Sequence, residues 1–524
     1  MTAVPGPFFV PRFEQPSGGV DFLGLRQVNL ALAFECIPGI SNVTEYVRPF
    51  SVLSWIFWKF HELAERSGRP DFKTSDLTAF QQRVETLFTW SHVLNGVRGI
   101  PGTDAAAPKA VGGRVSLVFD DWKRNATNTS LLAAVQYGPA SKTVGGLGFL
   151  EPVDVGVLKT SGNGVTLAKA LDANLRKTRG YRLLNTLERV MATPAEAEEL
   201  FAAWSVKAPS AAERRALREV YFDDASIGNA TDIGRRSSSL SLAFAVIARA
   251  AEPVDADAIR EGMVNLRVKN RAIRLGDELM STWYRWAVLQ LRQTQRLALE
   301  SLLAWAEWQI LVRDARTTDA LADIAVGQLK DNDDPEIQGT SLGQAMSSVF
   351  KDCPSGLDAL LIGMDEKTFS IFDLRSKLEN CVGSECENAV ALALHTLLVC
   401  ARLAELFNQD EPARASLSYG GPPRISLLHW AKTVRRLQGL PLRQAMLHIL
   451  ENFVLSQHFA VAVSRFDGAT QRLRISIEEE GLRLLVPQPW VPVVSPDRLN
   501  AALALAADCG LIRAPERGLF MSLG

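Results

Sequence analysis

The sequence predicts a mainly α, multi-domain protein with a small C-terminal α+β region. Three observations carry this. The chain has 524 residues, more than one hydrophobic core usually organises. From Leu183 to about Ala415 it reads almost entirely helical. Alternating, strand-like runs are short and confined to Phe149–Lys159 and Gln471–Val486.

Bulk composition excludes several classes. Hydrophobic residues make up 47% and charged residues 22%, an ordinary globular balance. The formal net charge of -1 gives no global attraction to nucleic acid or anionic lipid, so such binding must rest on a local basic patch. The start, MTAVPGPFFVPRF, lacks a basic region ahead of a long apolar run, and the apolar stretch Phe50–Phe60 is too short to span a bilayer and contains Lys59. A cytoplasmic protein without membrane partners is expected. The six cysteines (36, 353, 381, 386, 400, 509) form no CxxC pairs, and reduced, mostly buried thiols are expected.

Taken in order, residues 1–20 read as a Pro- and Gly-rich arm. Leu25–Ile37 is a helix stopped by Pro38-Gly39. Thr44–Ala64 is a helix whose Val47, Phe50, Leu53, Ile56, Phe57 and Phe60 make a wide apolar stripe with Trp55 and Trp58 at its margins. Pro49 sits in its first turns, where amide donors are unused. Residues 101–112 read as a loop, and Thr127–Val144 as two short helices broken at Gly138-Pro139. Thr193-Pro194-Ala195-Glu196 is a helix start. Ser281–Leu311 is the longest helix, with Trp283, Trp286, Leu289, Leu297, Leu302, Trp305 and Trp308 on its apolar surface. Asp331–Pro335 is an acidic loop without the glycine a calcium loop needs. Ile425–His458 gives two helices, Phe459–Phe466 and Gln471–Ile477 two strands, and Arg498–Asp508 a last helix before a hairpin turning at Pro515–Gly518. The segments 1–112, 113–182, 183–420 and 421–524 are the expected domains.

Thr143–Leu175 is the most informative stretch: short helix, Leu-Gly-Phe-Leu, hairpin, then Leu158-Lys159-Thr160 running into a helix. That order is the back half of a winged helix, and the tail from Arg498 repeats it loosely, so one or two winged-helix-like units are expected. A recognition helix over Pro139–Gly146 would present Ser141, Lys142 and Thr143 to a DNA groove. A wing at Glu151–Val155 would be flanked by Lys159 and Thr160, with Lys169, Arg176, Lys177, Arg179 and Arg182 behind it to neutralise phosphates. Glu151 and Asp154 oppose that use, and a protein-docking role is the alternative. Two further basic sets, Arg267/Lys269/Arg271/Arg274 and Lys432/Arg435/Arg436/Arg443, read as helical faces, solvated or nucleic-acid-contacting.

Catalytic signatures are missing. There is no phosphate loop, dinucleotide fingerprint, GxSxG or HExxH, and the six histidines are scattered. No catalytic residue, metal or cofactor is expected. Glu451, His458 and Glu478 are the first suspects should a cryptic site exist.

The segments Asp21-Phe22-Leu23-Gly24-Leu25, Pro38-Gly39-Ile40 through Thr44, and Arg48-Pro49-Phe50-Ser51 with Trp55 resemble the N-terminal signature of large uncharacterised bacterial proteins encoded in phage-defence gene clusters. The run from Leu158, and Asp497-Arg498-Leu499 with Cys509-Gly510-Leu511-Ile512, resemble that family's middle and tail. The resemblance implies a subunit of a defence complex, with other protein subunits as partners, and assigns no chemistry; double-stranded DNA is the partner that the winged-helix reading adds. The reading from sequence is therefore a non-enzymatic DNA-binding subunit or, alternatively, a protein scaffold of such a complex.

Overall fold

The computed structural model describes residues 20–68, 73–106, 113–122, 124, 126–154, 157–188, 190–269, 271–331, 337, 339–356, 370–381, 389–409, 411–466 and 472–523. The expected arm before residue 20, the loop at 107–112, the wing turn at 155–156, the acidic run 332–335, Cys386 and Gln471 lie outside them. The protein is mainly α, 61% helical against 7% strand. Among the described residues the strands form two-stranded antiparallel pairs: β1 (Val115–Ser116) with β4 (Met191–Ala192), β2 (Leu150–Asp154) with β3 (Val157–Thr160), β5 (Val254–Asp255) with β10 (Leu519–Phe520), β6 (Arg267–Val268) with β7 (Arg271–Ala272), and β8 (Ile475–Glu478) with β9 (Gly481–Leu484).

Two compact units emerge, neither continuous in sequence. The first holds residues 32–287 and 496–523, and the second the remaining described residues. The division falls inside the 37-residue helix Asp277–Arg313, at Ala287/Val288. The expected boundaries at 182 and 420 each fall inside a unit.

The first unit is built on the helix Val47–Ser67. Its stripe is buried as the spacing predicts, but Trp55 is not marginal. It is fully buried, and its indole donates to Asp172 Oδ1 at 2.9 Å, which removes the penalty of burying the N–H. Against it packs Gly162–Leu175, capped by Ser161, whose hydroxyl accepts the Gly164 amide at 3.2 Å. Thr74–Leu94 packs on Pro194–Trp204, the latter started by the expected cap: Thr193 and Glu196 form a reciprocal box. Between Thr127 and Tyr137 turns replace the expected helix. The last helix, Leu499–Asp508, is locked into the unit by Tyr221, whose hydroxyl donates to Ala502 O at 2.9 Å, and by Asp497, which holds Arg260 bidentately.

The second unit gathers Val288–Arg313, Ala389–Phe407 and Leu427–Leu437 with the stretch Leu442–Ser464. Phe459–Phe466 is not a strand. Ser456–Ser464 is helical and continues Leu442–Ile449 through a π turn at Leu450–Leu455. Burial of His458, Val461 and Ala462 along that helix overrides the strand preference of its valines. Arg474 lies over the rings of Phe22 (4.8 Å) and Trp490 (6.0 Å) and pairs with buried Glu307. Two helices, Ala389–Phe407 and Leu442–Ser464, are long and apolar enough to cross a membrane; 83% and 50% of their apolar windows are buried inside the protein. Core packing thus accounts for the apolarity of the first.

Candidate nucleic-acid interface

The 138–175 segment forms a one-turn helix, a hairpin and a helix. β2 pairs with β3 in the register Leu150↔Thr160 and Glu151↔Lys159. The preceding helix is one turn, Gly138–Ser141, not Pro139–Gly146. Three closures stop it. Thr143 N–H donates to Leu150 O at 2.8 Å, Leu147 N–H to Ala140 O at 2.7 Å, and Phe149 N–H to Ser141 O at 2.8 Å. Positive φ at Gly145 and Gly148 permits the reversal.

These placements sort the expected contacts. Ser141 is fully buried and donates to Tyr137 O at 2.9 Å, so it is off the surface. Thr160 donates to Ser54 O at 2.9 Å and serves the fold. Lys159 is tied across the strand pair to Glu151 at 3.1 Å, Arg176 to Asp172, and Arg182 to Glu196. Lys142, Thr143, Lys169, Lys177 and Arg179 are exposed; the Arg179 backbone donates to Glu199 at 2.9 Å. Three of these seven cations are therefore met by carboxylates within the unit, while Lys142, Lys169, Lys177 and Arg179 make no salt bridge among the described residues.

The second basic set is placed differently from expectation. It is not a helical face. The helix Ala256–Asn265 ends at Leu266, which takes left-handed backbone (φ 49°), and the chain turns at once into β6 and β7, with Lys269 also left-handed (φ 51°). The register is Arg267↔Ala272 and Val268↔Arg271. Beside it, β5 leads into the same helix and receives β10, so the C-terminal turn at 515–518, closed by the Arg513↔Met521 bridge, belongs to this arrangement. A cleft of about 220 Å³ lies between the hairpin and the 249–254 loop, lined by Arg249, Glu252, Val254, Val268, Lys269 and Arg271. Arg271 reaches the carbonyl of Arg249 at 3.5 Å. Arg249, Lys269, Arg271 and Arg274 are exposed and make no salt bridge among the described residues. The sequence held a signal for this hairpin: Asn270 beside Lys269, a residue type that tolerates left-handed turns, between two short non-helical runs.

Half of the third basic set is paired, and Lys432 and Arg436 are exposed. Arg435 pairs with Glu405, and Arg443 with Asp319 and Asp323.

The suspected acid-base residues do not converge. Thr318 donates to Glu451 Oε1 at 2.9 Å, and Glu478 pairs with Arg483 at 3.1 Å. His458 is buried; its Nε2 accepts the Arg474 amide at 3.1 Å and its Nδ1 faces Phe22 O at 3.3 Å. Burial lowers it to about pKa 4, and both ring nitrogens are already used. Among the described residues no group of three or more His, Cys, Asp or Glu could hold a metal. Cys36, Cys353, Cys400 and Cys509 are free thiols as expected, whereas Cys381 is disulfide-bonded, a correction to the reading of all six as reduced.

No family model, curated protein or solved structure matches this chain.

Proposed function

We propose that this chain is a non-enzymatic, nucleic-acid-binding subunit that holds duplex DNA by its phosphates, within an assembly of the bacterial phage-defence kind its sequence resembles. The observation that carries the reading is the β6–β7 hairpin with its neighbouring loop: four exposed cations, Arg249, Lys269, Arg271 and Arg274, without carboxylate partners. Each cation that meets a phosphate releases condensed counterions, and this term is independent of sequence. A helix running straight into a hairpin is the order of a winged unit, and we read residues 254–272 with β10 as that unit. Its helix carries Asp257 and Glu261 and has Arg260 committed to Asp497, so the wing and not the helix makes the contact.

The test is fluorescence anisotropy of the full chain with unrelated 20-base-pair duplexes across a salt titration. The Arg249/Lys269/Arg271/Arg274→Ala variant should bind all duplexes more weakly, with the salt slope reduced by about 0.9 per lost phosphate contact. Parental binding by that variant across the titration would overturn the reading.

A second reading applies to the 141–160 segment. Val144 and Val153 are 83% and 57% exposed beside the closed Lys159–Glu151 pair, which suits a protein subunit better than phosphate. Val144→Ser/Val153→Ser should then release a co-purifying subunit while leaving DNA affinity unchanged.

A further inference from the structure

The first unit contains a groove of about 1080 Å³ whose lining shares no residue with the cleft of the basic hairpin. Segments far apart in sequence wall it: residues 45–46, residues 96–98, Lys207 and Arg214, and stretches of the chain between Ala504 and Leu523. Its volume is at the upper end of the range of about 300–1,000 Å³ typical of small-ligand sites.

Its rim is held in place. The Tyr137 hydroxyl accepts the amides of Glu45 and Tyr46 at 3.1 and 3.2 Å. Arg513 and Met521 exchange backbone hydrogen bonds at 2.9 Å. Asp508 accepts the Val47 amide at 2.7 Å, fixing the start of the Val47–Ser67 helix.

The charge is asymmetric. Arg98, Lys207, Arg214, Arg513 and Arg517 face Glu45, Asp508 and Glu516, five cations against three carboxylates. Arg517 lies 3.5 Å from Glu45 and Arg214 lies near enough to Asp508 to stabilise its carboxylate, while Arg98, Lys207 and Arg513 make no ion pair among the described residues. Arg214 carries a buried Nε–H that has no acceptor among the described residues. A buried donor without a partner costs free energy that an anionic ligand would recover. Four of the five cations are arginines, whose planar forks match phosphate oxygens bidentately. Pro515, Met521 and Leu523 add accessible apolar surface to the same walls, and the carboxylates offer acceptors for amino or hydroxyl donors.

We propose that this groove binds a nucleotide carrying two or more phosphates: the phosphates on the arginine-rich rim, the base and sugar against the apolar wall and the carboxylates. The absence of a phosphate loop from the sequence means that side chains, not a glycine-rich backbone cradle, make the phosphate contacts.

The experiment is isothermal titration of the full chain with ATP, GTP, CTP and UTP, and separately with pyrophosphate and with the free nucleosides. Binding of at least one nucleotide is expected, tighter than its pyrophosphate or nucleoside half. Lys207→Ala/Arg513→Ala removes two exposed side chains and should weaken it about tenfold or more, since charge-assisted contacts each contribute on the order of that factor. Circular dichroism of the double variant should match the parent. The β6–β7 quadruple variant should bind nucleotide unchanged, which separates this site from DNA binding. No nucleotide binding at millimolar concentration, equal binding by the folded double variant, or pyrophosphate binding as tightly as every nucleotide would each overturn the proposal.

Discussion

Nε2 of His92 accepts the backbone amide of Val206 at 3.1 Å. An amide only donates, so Nε2 must be unprotonated; the ring proton then sits on Nδ1 and is donated to Phe88 O at 2.7 Å. His458 repeats the pattern in the second unit with Arg474 and Phe22. Each imidazole joins two chain segments as a neutral pin, which explains why neither is available for proton transfer.

The pins predict an acid limit to stability. Burial lowers both His92 and His458 from 6.5 to about 4. A depressed histidine contributes stability that is present above pH 6.5 and is lost as pH falls towards 4, on the order of 3 kcal/mol each. Asp508 runs the other way: burial raises it from 3.8 to about 6, so stability is lost as pH rises between those values. Denaturation midpoints followed by circular dichroism should fall from pH 7 to pH 4.5. His92→Gln, which keeps an acceptor for Val206 but cannot charge, should flatten part of that fall; an unchanged pH profile would refute the pin.

Arg48 and Glu213 form a fully buried ion pair at 3.1 Å in the first unit, with Arg48 also donating to Ala203 O and Ala208 O. Arg48→Ala leaves a buried carboxylate uncompensated and two carbonyls without a donor. A loss of about 3–5 kcal/mol is expected, measured by urea denaturation. Arg48→Met/Glu213→Gln should recover a substantial part of it, because the charge rather than the volume causes the loss.

Gly164 is fixed by contact. A β-carbon there would lie 2.2 Å from Phe149 O, a backbone atom that cannot swing away. Gly164→Ala should cost about 1–3 kcal/mol by overpacking, and Gly162→Ala, which meets nothing within 4 Å, should cost far less. Equal effects in thermal denaturation would contradict the packing of the β2–β3 hairpin on its following helix.

The two hairpins should differ as DNA contacts. Lys159→Ala on β3 removes a charge already neutralised by Glu151, while Lys269→Ala removes an unpaired one. Anisotropy at low salt should show a loss for Lys269→Ala several times that for Lys159→Ala. The reverse order would return the interface to the Lys142–Arg182 region.

Local rules in the sequence were enough to determine the mainly helical class, the Thr193–Glu196 cap, the β2–β3 hairpin and the stripe of the Val47–Ser67 helix, because each depends on neighbours within a few residues. The same rules gave the strand preference of Phe459–Phe466, which burial along a π-interrupted helix overrode. Tertiary structure alone decided what each charged side chain meets. Lys142, Lys159 and Arg176 look alike as a basic cluster in sequence, yet Lys159 and Arg176 find carboxylates that the fold brings to them, while Lys269 and Arg271 find none among the described residues. Likewise, residues 496–523 join helices more than two hundred positions earlier through Asp497–Arg260 and β10–β5. Electrostatic partnership depends on distance in space, and no local sequence pattern encodes the distance between segments so far apart in the chain.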